Sequence, residues 1–282
     1  MKVFLYTALA LTAFAFNSIL CRMALGKDEI DAASFTTVRL AAGAVTLALI
    51  SASVGKTQSV YRSGHWVSAF FLFAYAICFS FAYLALTTGT GALILFGSVQ
   101  LTMVAAAFAK GERPTTLELA GIVIAFSGLV YLVFPGLTAP PLISSALMAA
   151  AGAAWGFYTL RGRGSKDPLA ETTGNFARSV PMIVLAAIPF IGGLHFSTRG
   201  IVLAVLSGAL ASGVGYSVWY AALKYHTATR AAVLQLAVPV IAAGGGIVLL
   251  SETANTRLLI SAVLVLGGIM LAIFTKRPAT RT

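Results

Sequence analysis

The chain has 282 residues, of which 59% are hydrophobic and 10% charged, with a mean hydropathy of +0.93. A soluble domain carries about a quarter charged residues, so this chain cannot build a water-facing surface, and its apolar runs reach the roughly 20 residues that a helix needs to cross a bilayer. The composition specifies an all-α integral membrane protein; the net charge of +11 sits in short breaks between apolar runs, where topology signals lie, and does not imply a nucleic-acid partner.

Ten spans are predicted in chain order, at about 3–22, 32–54, 65–87, 90–109, 115–134, 141–161, 172–194, 198–223, 229–250 and 256–275. Met1-Lys2 and the apolar run behind it resemble a signal peptide. No small-x-small cleavage site follows Phe16 and further spans come directly after, so the run is read as a retained first helix. Gly26, Gly55, Gly111 with Pro114, Pro135-Gly136, Pro140-Pro141, Pro168, Gly192-Gly193 and Pro278 mark ends. Thr115/Thr116 and Asn255/Thr256 suit the N-caps of the fifth and tenth helices. Cys21 and Cys78 lie in or beside apolar runs and are read as two buried thiols rather than a disulfide. Trp66, at a span end, is an interfacial anchor.

Residues 91–134 and 231–274 match without gaps at a shift of 140, pairing Ala92/Ala232, Glu112/Glu252, Thr116/Thr256, Leu119/Leu259, Val123/Val263, Gly128/Gly268 and Phe134/Phe274. The glutamate match carries weight, because the chain has only 8 acidic residues. Arg39 pairs with Arg178, and Tyr83-Leu84-Ala85-Leu86 with Tyr220-Ala221-Ala222-Leu223. A period near half the length predicts a duplicated five-helix unit, with residues 1–136 as one copy and 137–282 as the other. Five is odd, so the second copy inserts upside down, giving inverted repeats. Arg22, Lys27, Arg199 and Arg257 fall on one side of the ten spans, Arg39 and Arg178 within spans, and the remaining 13 of 19 basic residues on the other side. That bias predicts cytoplasmic N- and C-termini in a bacterial-type inner membrane.

Ten helices in two halves, Trp155-Gly156 in the opening helix of a repeat, an Arg in the next helix, and a Gly/Ser-Glu pair closing the fourth and ninth helices resemble the drug/metabolite transporter superfamily. The pattern is similar to EamA-type exporters, and in length and layout to the YddG amino-acid exporters, over essentially the whole chain. The first repeat departs from it, with Phe16-Asn17 where the second has Trp-Gly. The resemblance implies alternating-access export of small metabolites, with amino acids as the favoured cargo.

No HExxH, phosphate loop or metal-ligand spacing occurs, and His65, His195 and His226 lie at helix ends, so no catalytic, cofactor or metal site is expected. All eight acidic residues also fall at or near span ends. Proton-coupled carriers bury such groups along the path, so a facilitator or exchanger is as well supported as a proton antiporter.

The candidate substrate-binding residues are polar and aromatic side chains at helical spacing. They are Asn17; Tyr75, Phe79 and Tyr83 at i, i+4, i+8; Phe96 and Gln100; Trp155 and Tyr158; Tyr216 and Trp219; and Gln235. An amide in hydrocarbon needs a partner, so Asn17, Gln100 and Gln235 are expected to face inward, as interhelical hydrogen bonds or as a cavity wall. Arg39 and Arg178 lie about 10–12 Å inside their helices; each can snorkel, pair structurally or hold a substrate carboxylate, with Arg39 the better candidate for the last. Pro239, Gly244 and Gly245 make the ninth helix a candidate hinge, or a close-packing surface. Glu112 and Glu252 are expected to cap the fifth and tenth helices at their positive ends, or as the alternative to serve as gate or coupling groups.

The cavity suits an aromatic or other hydrophobic amino acid, or as the alternative a planar drug or nucleoside. A cargo-free structural or regulatory protein is disfavoured by polar groups on several helices, and an intramembrane enzyme by the lack of catalytic pairs. The expected partners are a small-molecule substrate and the lipid bilayer, with the chain a monomer or weak homodimer.

Overall fold

The computed structural model describes residues 2–55, 63–109, 111, 115–134, 136, 139–162, 165–223, 225–226 and 234–274. The helices are α1 (Lys2–Leu25), α2 (Ala32–Ser53), α3 (Trp66–Tyr83), α4 (Thr88–Ala109), α5 (Thr116–Val133), α6 (Leu142–Gly162) and α7 (Pro168–Ala187). They continue with α8 in three joined parts (Thr198–Leu206, Ser207–Val214 and Gly215–Leu223), α9 (Ala237–Leu250) and α10 (Thr256–Phe274). Among the described residues nine helices are long and apolar enough to span a membrane, and α9 is a shorter apolar tenth. The one β feature among them is an isolated bridge between Ile30 and Phe196.

Helix ends follow local chemistry. Asp31 caps α2 by accepting from the Ser34 amide, and Thr115 and Glu118 form a reciprocal capping box on α5. Asn255 caps α10, accepting from the Leu258 amide at 2.7 Å. Two predicted spans are too long. α3 stops at Tyr83 because the chain turns there into α4, and α7 gives way at Ile188–Gly193 to a 3₁₀ turn around Pro189. The middle of α8, Ser207–Val214, is wound as a wider π-helix, in which the Ser212 hydroxyl donates to the Ser207 carbonyl at 3.0 Å.

The principal interfaces pair α5 with α10, α2 with α7 and α4 with α9, and also α3 with α6, α1 with α8, α3 with α7, α2 with α8, α4 with α6 and α1 with α9. Exchanging each helix for the one five places along maps this set onto itself. α5 and α10 cross on small residues: a Cβ on Gly121 or Gly268 would lie 2.5 Å from the other's carbonyl oxygen. The outer surface is apolar, with Phe4, Ile143, Val248 and Val263 exposed, while Asn17, Thr36, Arg39, Ser80, Ser207 and Ser212 are buried. A protein more polar inside than outside is built for a hydrocarbon solvent. Cys21 is buried, Cys78 is partly buried, and both are free thiols.

At one end of the bundle the α1–α2 turn is tied to the α7–α8 turn. The Asp31 amide donates to the His195 carbonyl at 3.0 Å, the Ser197 hydroxyl to Glu29 at 2.6 Å, and Arg199 pairs with Glu29 at 3.3 Å.

Candidate functional site

Between α1, α3, α4, α6 and α8 lies a small, partly open cavity. α1 supplies Phe14, Asn17 and Ser18, and α3 supplies Tyr75 and Phe79; Phe96, Trp155, Tyr216 and Gln235 close the wall with three smaller side chains. The aromatic part is a connected stack. Trp155 lies nearly parallel to Tyr216, with ring centroids 5.2 Å apart and planes at 20°, and to Tyr158 at 5.3 Å and 30°. Tyr75 touches Trp155 at 4.9 Å, and Phe14 packs edge-on against Trp219. Such surfaces hold planar or apolar groups in place.

One polar chain crosses the cavity wall. Ser207 Oγ donates to Asn17 Oδ1 at 2.6 Å, Asn17 Nδ2 donates to Tyr75 Oη at 3.2 Å, and Arg39 Nη2 donates to the same hydroxyl at 3.1 Å. Arg39 stands behind Tyr75 and Phe79, its guanidinium carbon 5.2 and 4.9 Å from their ring centroids. It is 2% exposed, which excludes snorkelling. Its Nε and Nη1 have no hydrogen-bond partner among the described residues. A buried cation with two vacant donors is costly unless an acceptor visits it. Arg178, which the sequence pairs with it, is a staple instead, donating from Nη1 to the Ser63 and Gly174 carbonyls at 2.8 and 2.9 Å.

The structure thus brings Asn17, Tyr75, Phe79, Phe96, Trp155, Tyr216 and Gln235 to one cavity, with Arg39 against its wall. Four other candidates lie elsewhere. Tyr83 is buried at the α3–α4 turn and donates to the Thr88 carbonyl at 3.3 Å; Gln100 is buried on α4 outside the lining. Tyr158 lines a second cleft, and Trp219 packs one layer out against Phe14. Phe14 and Ser18 were not singled out from sequence. They sit three residues before and one after Asn17, on the same helical face, and that spacing is the signal that finds them.

Gln235 owes its position to Pro239. Proline has no N–H to bond the carbonyl four residues back, which belongs to Gln235. The helical run breaks at Leu236 just beyond that residue, and α9 restarts at Ala237. α9 then runs unbroken through its glycines: Gly244 faces open space, Gly245 meets Ile19, and Gly246 meets Thr88 and Glu252.

Glu252 does not cap α10, as the sequence predicts. Asn255 holds that place, and the left-handed backbone at Ser251 (φ 56°) turns Glu252 back toward α4. Both carboxylate oxygens accept from the Thr88 amide, at 2.8 and 3.0 Å, and one from the Thr88 hydroxyl at 3.2 Å. Glu252 therefore sits at the positive end of α4. Arg22 joins it at 3.5 Å and donates to the Tyr83 and Leu84 carbonyls at 2.9 and 3.1 Å, tying together the ends of α1, α3, α4 and α9. Glu112 lies outside the described residues.

A multi-pass helical protein with a lipid-facing apolar exterior and an inward-facing polar and aromatic cavity is built as a membrane transporter. Residues 142–274 match the model of the EamA-like transporter family. The chain is 48% identical over 270 residues to an uncharacterised protein of Pseudomonas aeruginosa, covering 96% of this chain and 94% of that one. It is 27% identical over 215 residues to a "Probable amino-acid metabolite efflux pump" of Salmonella typhimurium, covering 71% and 72% of the two chains. It is 26% identical over 275 residues to a "Probable terminal-alkyne amino-acid exporter" of Streptantibioticus cattleyicolor, covering 94% and 91%. A solved crystal structure 18% identical in sequence superposes with a TM-score of 0.67 over 95% of each chain, which shows the shared fold. The chain thus carries an EamA-like transporter domain over residues 142–274.

Proposed function

We propose that the protein exports small metabolites, with aromatic or hydrophobic amino acids foremost, by alternating access across a bacterial-type inner membrane, with both termini cytoplasmic. The observation that carries this reading is the buried Arg39, whose two vacant donors lie behind an aromatic cavity wall. An α-carboxylate supplies the missing acceptors. Its side chain then packs on the Trp155–Tyr216 stack, and Asn17, Tyr75 and Gln235 offer polar contacts to the rest of the molecule. Efflux of amino acids or their derivatives in the names of the two relatives above supports the cargo class.

Residues 1–136 and 137–282 form two inverted copies in this reading, supported by the set of interfaces that maps onto itself. Among the described residues the cavity lining holds no carboxylate or histidine, which favours a facilitator or exchanger. The near-parallel Trp155 and Tyr216 rings support a second reading, an exporter of planar drugs or nucleosides. Counterflow in proteoliposomes separates them: radiolabelled phenylalanine or tryptophan is expected to exchange with no proton gradient. Failure of every amino acid to exchange removes the favoured cargo, and collapse of exchange without a gradient removes the uncoupled mechanism.

A further inference from the structure

The end of the bundle that carries the N-terminus holds a second cleft, where α6 and α8 end and α3 and α7 begin. Its lining includes Ser68, Tyr158, Glu171, Thr172, Asn175 and Tyr220. Asn175 is already engaged, its Oδ1 accepting from the His65 amide at 2.8 Å. Arg161 is directed to Ser68 at 3.2 Å, and Lys166 is exposed beside the lining residue Ser165.

Glu171 is different. It lies in the first turn of α7, but that helix is capped by Asp167, which accepts from the Ala170 amide at 3.3 Å. The half-buried Glu171 carboxylate has no hydrogen-bond or ion-pair partner among the described residues. It stands in a cleft walled by two tyrosine rings, a combination that favours a cation through direct pairing and the ring faces together. Tyr158 separates this cleft from the central cavity, with its ring stacked on Trp155.

We infer that this cleft is a loading site for a primary ammonium group, held by Glu171 with Tyr158 and Tyr220, one aromatic layer away from the central cavity. The two sites carry opposite charges. The cleft presents a carboxylate and the cavity wall presents the Arg39 guanidinium, so each reads a different end of a zwitterion. The identity of the natural solute rests on the amino-acid reading above, whereas the charge preference of the cleft stands without it.

The test uses two half-ligands on the purified full chain in detergent: phenethylammonium, which lacks the carboxylate, and 3-phenylpropionate, which lacks the amine. Binding is read from the fluorescence of Trp155 in a background with Trp66→Phe and Trp219→Phe. Phenethylammonium is expected to bind, to lose at least tenfold in affinity in Glu171→Gln, to stay within threefold in Glu171→Asp, and to be unchanged in Arg39→Met. 3-Phenylpropionate is expected to show the reverse dependence. Equal affinity for the amine in the parent and in Glu171→Gln, or no binding of the amine at all, overturns the inference. If Glu171→Gln does not fold, a loss of binding in the charge-retaining Glu171→Asp also counts against it. Amine binding that depends on Glu171 in a protein that exchanges no amino acid leaves the cleft assignment standing and removes the cargo; exchange with indifferent amine binding does the opposite.

Discussion

Arg39 illustrates what a single residue reveals and conceals. Its burial depth was legible in the sequence as a charge two turns inside an apolar helix. Its vacant donors were not, because they depend on Tyr75 from α3 occupying Nη2 and on the lack of any acceptor within reach of Nε and Nη1 among the described residues. Replacement by Met should leave the fold intact, since removing an unpaired buried ion is neutral or stabilising. It should lower kcat/KM for a carboxylate-bearing solute by about 10–150-fold, the equivalent of one charge-assisted hydrogen bond of about 1.5–3 kcal/mol. Proteoliposome exchange beside a thermal melt measures both. A second residue-scale prediction concerns His195, outside the membrane spans. Slight burial disfavours its cation, but the Asp28 carboxylate 3.0 Å away outweighs this and holds its pKa above the ordinary 6.5. A raised pKa means that the contact contributes fully below pH 6.5 and is lost as pH rises through the folded value. Asp31, in the same pair of turns, is pushed up by burial but held below its ordinary 3.8 by hydrogen bonds from Ser34, His195 and Ala33. Its contribution is therefore lost only in acid, as pH falls through that lowered value. An NMR titration should place the His195 midpoint above 6.5, and Asp28→Asn should bring it back down.

At the scale of elements, most helices were readable because hydrocarbon leaves the backbone no alternative to internal hydrogen bonding. The aromatic face of α3 was readable from its four-residue spacing. The partner of Glu252 was not, since local capping rules favour α10 and the true donor lies 164 residues away at the start of α4. Glu252→Gln retains an acceptor for the Thr88 amide but loses the charge opposite Arg22 and at the α4 dipole. A loss of about 1–3 kcal/mol is expected, seen as a lower melting temperature; an unchanged melt would refute the clamp. The α5–α10 crossing gives an independent check. Gly268→Leu places a side chain against the backbone of α5, and overpacking of about 1–3 kcal/mol should appear there without a change in half-ligand affinity at the cavity. The π-helical part of α8 left no sequence signal beyond its small residues, Gly208 and Gly213, which sit against Arg39 and Thr46 of α2.

For the whole molecule, the principal interfaces all run between helices 1–5 and helices 6–10. Neither half has a core of its own. Expressed separately, residues 1–136 and 137–282 should each be degraded or aggregate, whereas co-expression should yield a complex that co-purifies and exchanges substrate. Recovery of either half as a stable monomer would contradict the interlocked architecture. The proposed duplication rests on rare residues that repeat. The way helices 1–5 mesh with helices 6–10 was not legible, because sequence similarity does not record which surfaces meet.

The carboxylate that completes the start of α4 also sets an order of events during synthesis. α4 emerges from the ribosome long before Glu252, and the 164 intervening residues take roughly 8–30 s to make at typical elongation rates. Through that interval the amide end of α4 waits at its membrane surface with water or lipid headgroups as acceptors. The first five helices are therefore inserted before they are finished, and the turn between α9 and α10 is what locks them.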